Sequence, residues 1–382
     1  MAMETDMNFQ ERLATICVRM RDEKLALLVG LHDGAHFIEK PNPVMVLAAF
    51  KAIGAAAAVL HRDGTCDLIV TPAWDAERAA ELCPQARVVG ADDLLESLLA
   101  LIGRHADQSA NNDIGIAGLP FLPSGLARPL GAALPGARGA DKIVFDAARI
   151  KTAQEIEFAR EAARIAELGY KLLLQIAQPG LSEDALALAL KSYMKAAGAE
   201  DNFLLLCAGP HNRAVQPSTG RKLAPGDIIL AEITPSYRGQ LTQICRTVVV
   251  GDPSEELSRK YALVVQAMNQ GIAAARPGVR MAEVCRAINA VLEQQGYGEY
   301  CHPPHIRRRG HGLGFASVRP GDVSLDNATV LEPDMLFMIH PNQYLPETGY
   351  LLCGEPVVIT ANGAQVLTRE QSALGIAGRT QE

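Results

Sequence analysis

Glu232, Gln243, His311 and His340 are the side chains of this chain whose types and settings could do chemistry. A carboxylate and two imidazoles can move protons near neutral pH, and each can also hold a cation. Glu232 opens the stretch EITPSYRGQLTQICRT, which reads as a β-hairpin. A turn centred between Tyr237 and Arg238 would set Glu232 opposite Gln243, with β-carbons about 5 Å apart on one face. Two acids there would grip a metal; an acid and an amide are present. His311 lies between glycines in RRRGHGLGF, where a backbone can approach a ligand closely. His340 ends the apolar run VLEPDMLFMIH, directly before Pro341.

These residues need elements to hold them. Before residue 146 the chain alternates strand-like and helix-like runs: LALLVGL, AAAAVLHRDGTCDLIVT with a turn at Asp63-Gly64, DAERAAELC, ARVVG, ADDLLESLLALIGRHA and DIGIAGL. This reads as an α/β domain without a glycine-rich phosphate loop. Trp74 is placed at a helix start, packed. The Gly/Pro-rich stretch PGARGADKIVFD marks the boundary, and Thr152 to Glu155 has the form of a helix capping box. Beyond it a repeat is visible. Pro179-Gly180 and Pro277-Gly278 each precede an amphipathic helix ending at a glycine, Gly198 and Gly296, 18 residues after the first glycine in both cases. Each half then reaches a similar strand, one ending at Glu232 and the other at His340.

Composition bounds the rest. A net charge of −7 disfavours nucleic acid and anionic membranes as partners. The one dense basic run is Arg307-Arg308-Arg309, either a solvated loop or a clamp for a substrate carboxylate. Eight scattered cysteines without metal-ligand spacing read as buried reduced thiols. The acidic N-terminus and the lack of a long apolar run point to a soluble cytoplasmic protein. His302 and His305 read as loop residues, and His32 and His36 as surface residues after a strand.

With IKTAQEI, GDIILAE, the Tyr237-x-Gly239 and Arg246-Thr247 pairs, GHGLG and VVITANG on the page, residues 148–378 resemble the pita-bread superfamily of methionine aminopeptidase, aminopeptidase P, prolidase and creatinase. The preceding part is similar to the N-terminal domain of the prolidase/creatinase branch. The resemblance implies an α+β pita-bread C-terminal domain with an internal pseudo-twofold repeat, preceded by an α/β creatinase/prolidase-type domain, divided as 1–146 and 147–382. It also implies a homodimer acting on a small molecule.

The peptidase members carry two divalent ions on two aspartates, one histidine and two glutamates. Matched residue by residue, those positions hold Glu232, Gln243, His311, His340 and Gly354, with Glu355 one step along. An amide and a glycine at the bridging positions cannot offset the repulsion of two cations. The chain then looks closer to metal-independent creatinase, and to ectoine hydrolase, which is similar in placing a glutamate at the Glu232 position. AGPHNRAV resembles the creatinase loop bearing its catalytic histidine, which brings in His211. The expectation is a creatinase-like hydrolase of a C–N bond (amide, amidine or guanidino) in a small polar metabolite. Glu232, His211, His311 and His340 would be catalytic, Gln243, Tyr237, Glu355 and Arg309 would hold substrate, and no cofactor would be needed. Two alternatives stay open: a single divalent ion on His311 and His340 with Glu232 or Glu355, in a hydrolase or lyase, and a non-catalytic, Xaa-Pro-peptidase-like binding protein.

Overall fold

In the N-terminal part the runs LALLVGL, AAAAVLHRDGTCDLIVT, ARVVG and DIGIAGL form strands, while the apolar run Pro43–Ala48 forms a short helix. The computed structural model describes residues 7–105, 113–316, 319–370 and 372–378, and the chain divides into two compact units, 1–154 and 155–382. In the first unit the strands are β1 Leu27–His32, β2 Ala56–His61, β3 Cys66–Val70, β4 Ala86–Gly90, β5 Ile114–Ala117 and β6 Arg138–Gly139. They form one sheet in the order β4-β3-β2-β1-β5-β6. The β1–β2 and β2–β3 pairs are antiparallel and the others parallel. The β2–β3 turn forms where expected, with Gly64 at φ +90° and the Asp63 carboxylate accepting from both the Thr65 N–H and hydroxyl. The helix Leu94–Arg104 is capped by Asp93, whose carboxylate accepts from the Glu96 N–H. Its Leu98, Leu101 and Ile102 bury an apolar face on Val29, Val59 and Ile69. Trp74 does not pack as expected: it is 68% exposed on a short 3-10 turn, Ala73–Asp75, before its helix begins.

The second unit builds two sheets. Its strands are β7 Asn202–Gly209, β8 Ile228–Tyr237, β9 Gln240–Leu241, β10 Ile244–Val250, β11 Gly310–Gly312, β12 Leu336–Ile339, β13 Gln343–Leu345, β14 Gly349–Leu351, β15 Glu355–Thr360, β16 Gly363–Val366 and β17 Gly375–Ala377. One sheet runs β17-β10-β8-β7 with β9 added to β8, the other runs β11-β12-β15-β16, and β13–β14 is a separate hairpin. The first sheet packs its buried face on the helices Ala153–Ile176 and Glu183–Ala196 through Ile165, Leu190, Leu206, Ile229 and Val248.

The repeat is real at the level of single hydrogen bonds. The Gly180 N–H donates to the Leu223 carbonyl at 2.9 Å, and the Gly278 N–H to the Leu331 carbonyl at 2.9 Å. Both glycines have left-handed backbones, φ +90° and +85°, and each is followed by a 14-residue helix, Glu183–Ala196 and Met281–Gln294. The halves meet where Cys245 and Gly354 exchange backbone hydrogen bonds of 3.2 and 3.1 Å. Glu232 lies in β8, and His340 directly follows β12.

All eight cysteines are free and buried. Among the described residues no helix is long and apolar enough to cross a membrane.

Candidate active site

The hairpin carrying Glu232 turns one residue later than the sequence reading places it. Arg238 and Gly239 both have positive φ, +49° and +79°, the requirement of a tight two-residue hairpin turn. Tyr237 therefore pairs with Gln240, and Glu232 faces Cys245 rather than Gln243. Gln243 falls level with Thr234, to whose hydroxyl its amide nitrogen lies 3.0 Å away. The expected Glu232–Gln243 pair becomes a diagonal on one face of the hairpin. Cys245 Sγ stands between them, 4.0 Å from an oxygen of each.

Glu232 is partly buried and accepts a hydrogen bond of 3.3 Å from Asn342 Nδ2. Burial raises its carboxyl to about 7, against the opposing pull of the Arg308 charge and the Asn342 donor. The phenol of Tyr350 feels the same charge: burial first, then negative Glu232, push it up.

The two histidines are buried as a pair, ring centroids 5.2 Å apart at 60°. His311 is clamped, with Nδ1 2.9 Å from the Gly312 carbonyl oxygen and Nε2 3.1 Å from Gln243 Oε1. His340 is held neutral: burial lowers it well below the usual imidazole range, with the His311 and Arg308 charges acting in the same sense. Its Nδ1 is buried without a hydrogen-bond partner among the described residues. A buried polar atom left unpaired costs free energy unless something visiting the site satisfies it.

The remaining sequence candidates fall in three places. Tyr237 stands at the hairpin tip, edge-on to Phe158. Arg309 and Glu355 are built into the interior. Arg309, 1% exposed, binds Asn289 Oδ1 at 2.7 Å, the Pro341 carbonyl at 2.7 Å and Gln343 Oε1 at 3.0 Å, so it anchors the chain just after His340. Glu355 takes a buried ion pair of 2.8 Å with Arg246, a hydrogen bond of 2.6 Å from Thr368, and another from Ser372. His211 is exposed, its Nε2 3.0 Å from the Pro346 carbonyl oxygen and its ring edge-on to Tyr344. Tyr344 also meets Tyr300 and His305, so these rings form one aromatic group. Sequence reasoning missed Asn342, Cys245 and Tyr350, and it singled out Arg308 only as part of the basic run 307–309. Asn342 had one usable signal, its place two residues after His340 on the same side of an extended run.

The two-ion centre implied by the resemblance does not fit these residues. Among the described residues, no three His, Cys, Asp or Glu groups of this site bring ligand atoms within 4.8 Å of one another. The last carboxylate position cannot simply be refilled. A Cβ on Gly354 would lie 2.5 Å from His340 Cβ and 3.0 Å from His340 Cα, so His340 occupies the space a side chain at 354 would need.

Comparison with known proteins bears on the same question. A sequence model of the metallopeptidase family M24 matches residues 157–361. The uncharacterized peptidase YqhT of Bacillus subtilis is 31% identical over 228 residues, 59% of this chain and 64% of YqhT, so the match spans a little under two thirds of that relative. The Xaa-Pro dipeptidase of Pyrococcus furiosus is 30% identical over 237 residues, 61% of this chain and 67% of that protein. Among solved structures, the prolidase from Pyrococcus horikoshii superposes with a TM-score of 0.81 at 22% identity, over 95% of this chain and 99% of that one. The X-Pro aminopeptidase from Thermotoga maritima gives 0.79 at 20% identity, over 96% and 99%. At such identities the structural likeness establishes the fold. These findings overturn the expectation that no cofactor is needed. The matched family is one of metallopeptidases, and His61, Asp67 and His105 of the first unit form a group of metal-ligand type.

Proposed function

The chain belongs to metallopeptidase family M24, in its pita-bread prolidase, aminopeptidase P and creatinase branch, and from that premise we propose that it hydrolyses a C–N bond in a small polar substrate at the Glu232, His311 and His340 site. The observation that carries this reading is a carboxyl raised to about 7 by burial, tied through Asn342 to the segment of a buried histidine whose Nδ1 has no hydrogen-bond partner among the described residues. A group with that affinity for protons can both take one from water and return it at neutral pH.

Glu232 takes a proton from water as the water oxygen bonds to the amide, amidine or guanidino carbon. The C–N bond then breaks, and the proton passes from Glu232 to the departing nitrogen. His340 Nδ1 meets a polar atom of the substrate and fixes its orientation. His311, clamped by Gly312 and Gln243, keeps its ring at a set angle to His340. Asn342 holds the Glu232 carboxylate and so sets where the proton is exchanged. The chain works as a cytoplasmic homodimer in this reading.

The test is a substrate panel with divalent ions supplied: amides, amidines, guanidino acids and Xaa-Pro dipeptides, the last because a relative bears that name. Glu232→Gln should lower kcat by about 10²–10⁴ on whichever compound turns over. Full turnover in Glu232→Gln would overturn the assignment.

A further inference from the structure

Outside the candidate active site, one cluster of side chains on the first unit is arranged with more order than a surface requires. Strand β2 ends at His61, whose N–H donates to the Thr65 carbonyl at 2.8 Å to close the hairpin turn. In the β2–β3 register Val59 faces Asp67. Strand alternation then puts His61, two residues from Val59, on the same face as Asp67. That face belongs to the apolar cluster covered by the helix Leu94–Arg104, through Val59 and Ile69 beneath Leu98, Leu101 and Ile102. Where the helix runs out, its C-cap His105 brings an imidazole over the strand end, ring centroid 4.6 Å from that of His61. The ligand atoms of His61, Asp67 and His105 all lie within 4.8 Å of one another. His61 and Asp67 are 7% and 5% exposed, and His105 is partly open to solvent, so the group is both preorganised and reachable.

Three features favour a cation. Two imidazole nitrogens and one carboxylate oxygen make a donor set suited to zinc and its neighbours, whereas magnesium and calcium prefer oxygen donors alone. The helix ends at this spot, and its terminal carbonyls carry partial negative charge. The Asp67 carboxylate is oriented by Arg87 of the adjacent strand, whose Nε lies 3.0 Å from Oδ1 and Nη2 3.1 Å from Oδ2, and Oδ2 also meets His61 Nε2 at 2.5 Å, a contact that an ion held by the two residues would replace. Arg87 is also the group that competes with an ion. Its side chain is 62% exposed, so moving it aside costs little. We infer that His61, Asp67 and His105 form a site for one zinc-class divalent ion, which ties the β2–β3 hairpin to the end of the helix above it.

The experiment uses the full chain, stripped with chelator, reloaded with zinc chloride, desalted, and read by metal content per chain and by chelator competition. Wild type should hold one more zinc per chain than His105→Gln, while His311→Gln should hold as much as wild type. Arg87→Ala, on an exposed side chain, should bind zinc several-fold more tightly. Equal metal in wild type and His105→Gln would overturn the inference. So would loss of zinc only in His311→Gln, or Arg87→Ala binding no tighter than wild type. Cobalt(II) loading gives an independent reading: a visible d–d spectrum in wild type and His311→Gln, reduced in His105→Gln.

Discussion

A carboxyl that titrates near neutrality can exchange protons with a substrate, and it weakens the fold for the same reason. Glu232 is raised from 4.5 to about 7 by burial. The folded chain therefore keeps a proton that the unfolded chain releases, and the stability this gives is full below about 4.5 and is lost as pH rises through about 7. Glu232→Gln removes that loss. The variant should be more stable than wild type at pH 8 by about 1–3 kcal/mol and nearly unchanged at pH 4, as urea unfolding at the two pH values would show. In the wild type, kcat/KM should rise with pH through about 7, because the ionised carboxyl takes the first proton. Asn342→Ala, which deletes a donor to the ionised form, should move that limb upward. The residue types of this site were legible in sequence, since glutamate and histidine at the ends of apolar runs stand out. Arg309 was not. In a run of three arginines it reads as solvated or as a clamp, and its partners, Asn289, the Pro341 carbonyl and Gln343 among them, come from distant parts of the chain.

Elements were legible where local rules dictate them. The two Pro-Gly starts and the glycine helix ends predict the repeat, because each glycine takes a left-handed backbone that other residues adopt only with strain: φ is +109° at Gly198 and +86° at Gly296. The hairpin register failed by one turn position, because the turn was centred on Tyr237 and Arg238 while the glycine sits one residue later. A register rests on which residues tolerate positive φ, and Gly239 was the informative one. Gly239 takes φ +79°, and its N–H donates to Glu200 at 2.8 Å. Gly239→Val should therefore cost about 1–3 kcal/mol. Thermal unfolding checks the cost. If the turn holds the register that places Glu232 against Cys245, kcat should fall as well, while the backbone strain alone would leave kcat untouched.

At the scale of the whole C-terminal unit, two similar halves must be joined, and the join is polar. Besides the Cys245–Gly354 bridge, the Thr247 hydroxyl donates to the Leu352 carbonyl and accepts from the Leu352 N–H, both at 2.8 Å. Arg246, 2% exposed, reaches across to Glu355 at 2.8 Å and to the Gly354 carbonyl at 2.8 Å. No pattern within either half announces these contacts, since each partner meets the other only when the halves come together. A buried pair contributes little net stability, but removing one member strands a charge, at a cost of about 3–5 kcal/mol. Glu355→Gln should therefore destabilise the chain by that amount, and adding Arg246→Met should recover part of it, a sign no exposed pair would give. Gly354→Ala attacks the same join sterically, because its Cβ would press to 2.5 Å on His340 Cβ and 2.6 Å on Met338 Cε. Unlike Glu355→Gln, it should displace the His340 ring, so at equal stability loss Gly354→Ala should show the larger fall in kcat. Equal falls would mean that the join, not the His340 position, governs the site.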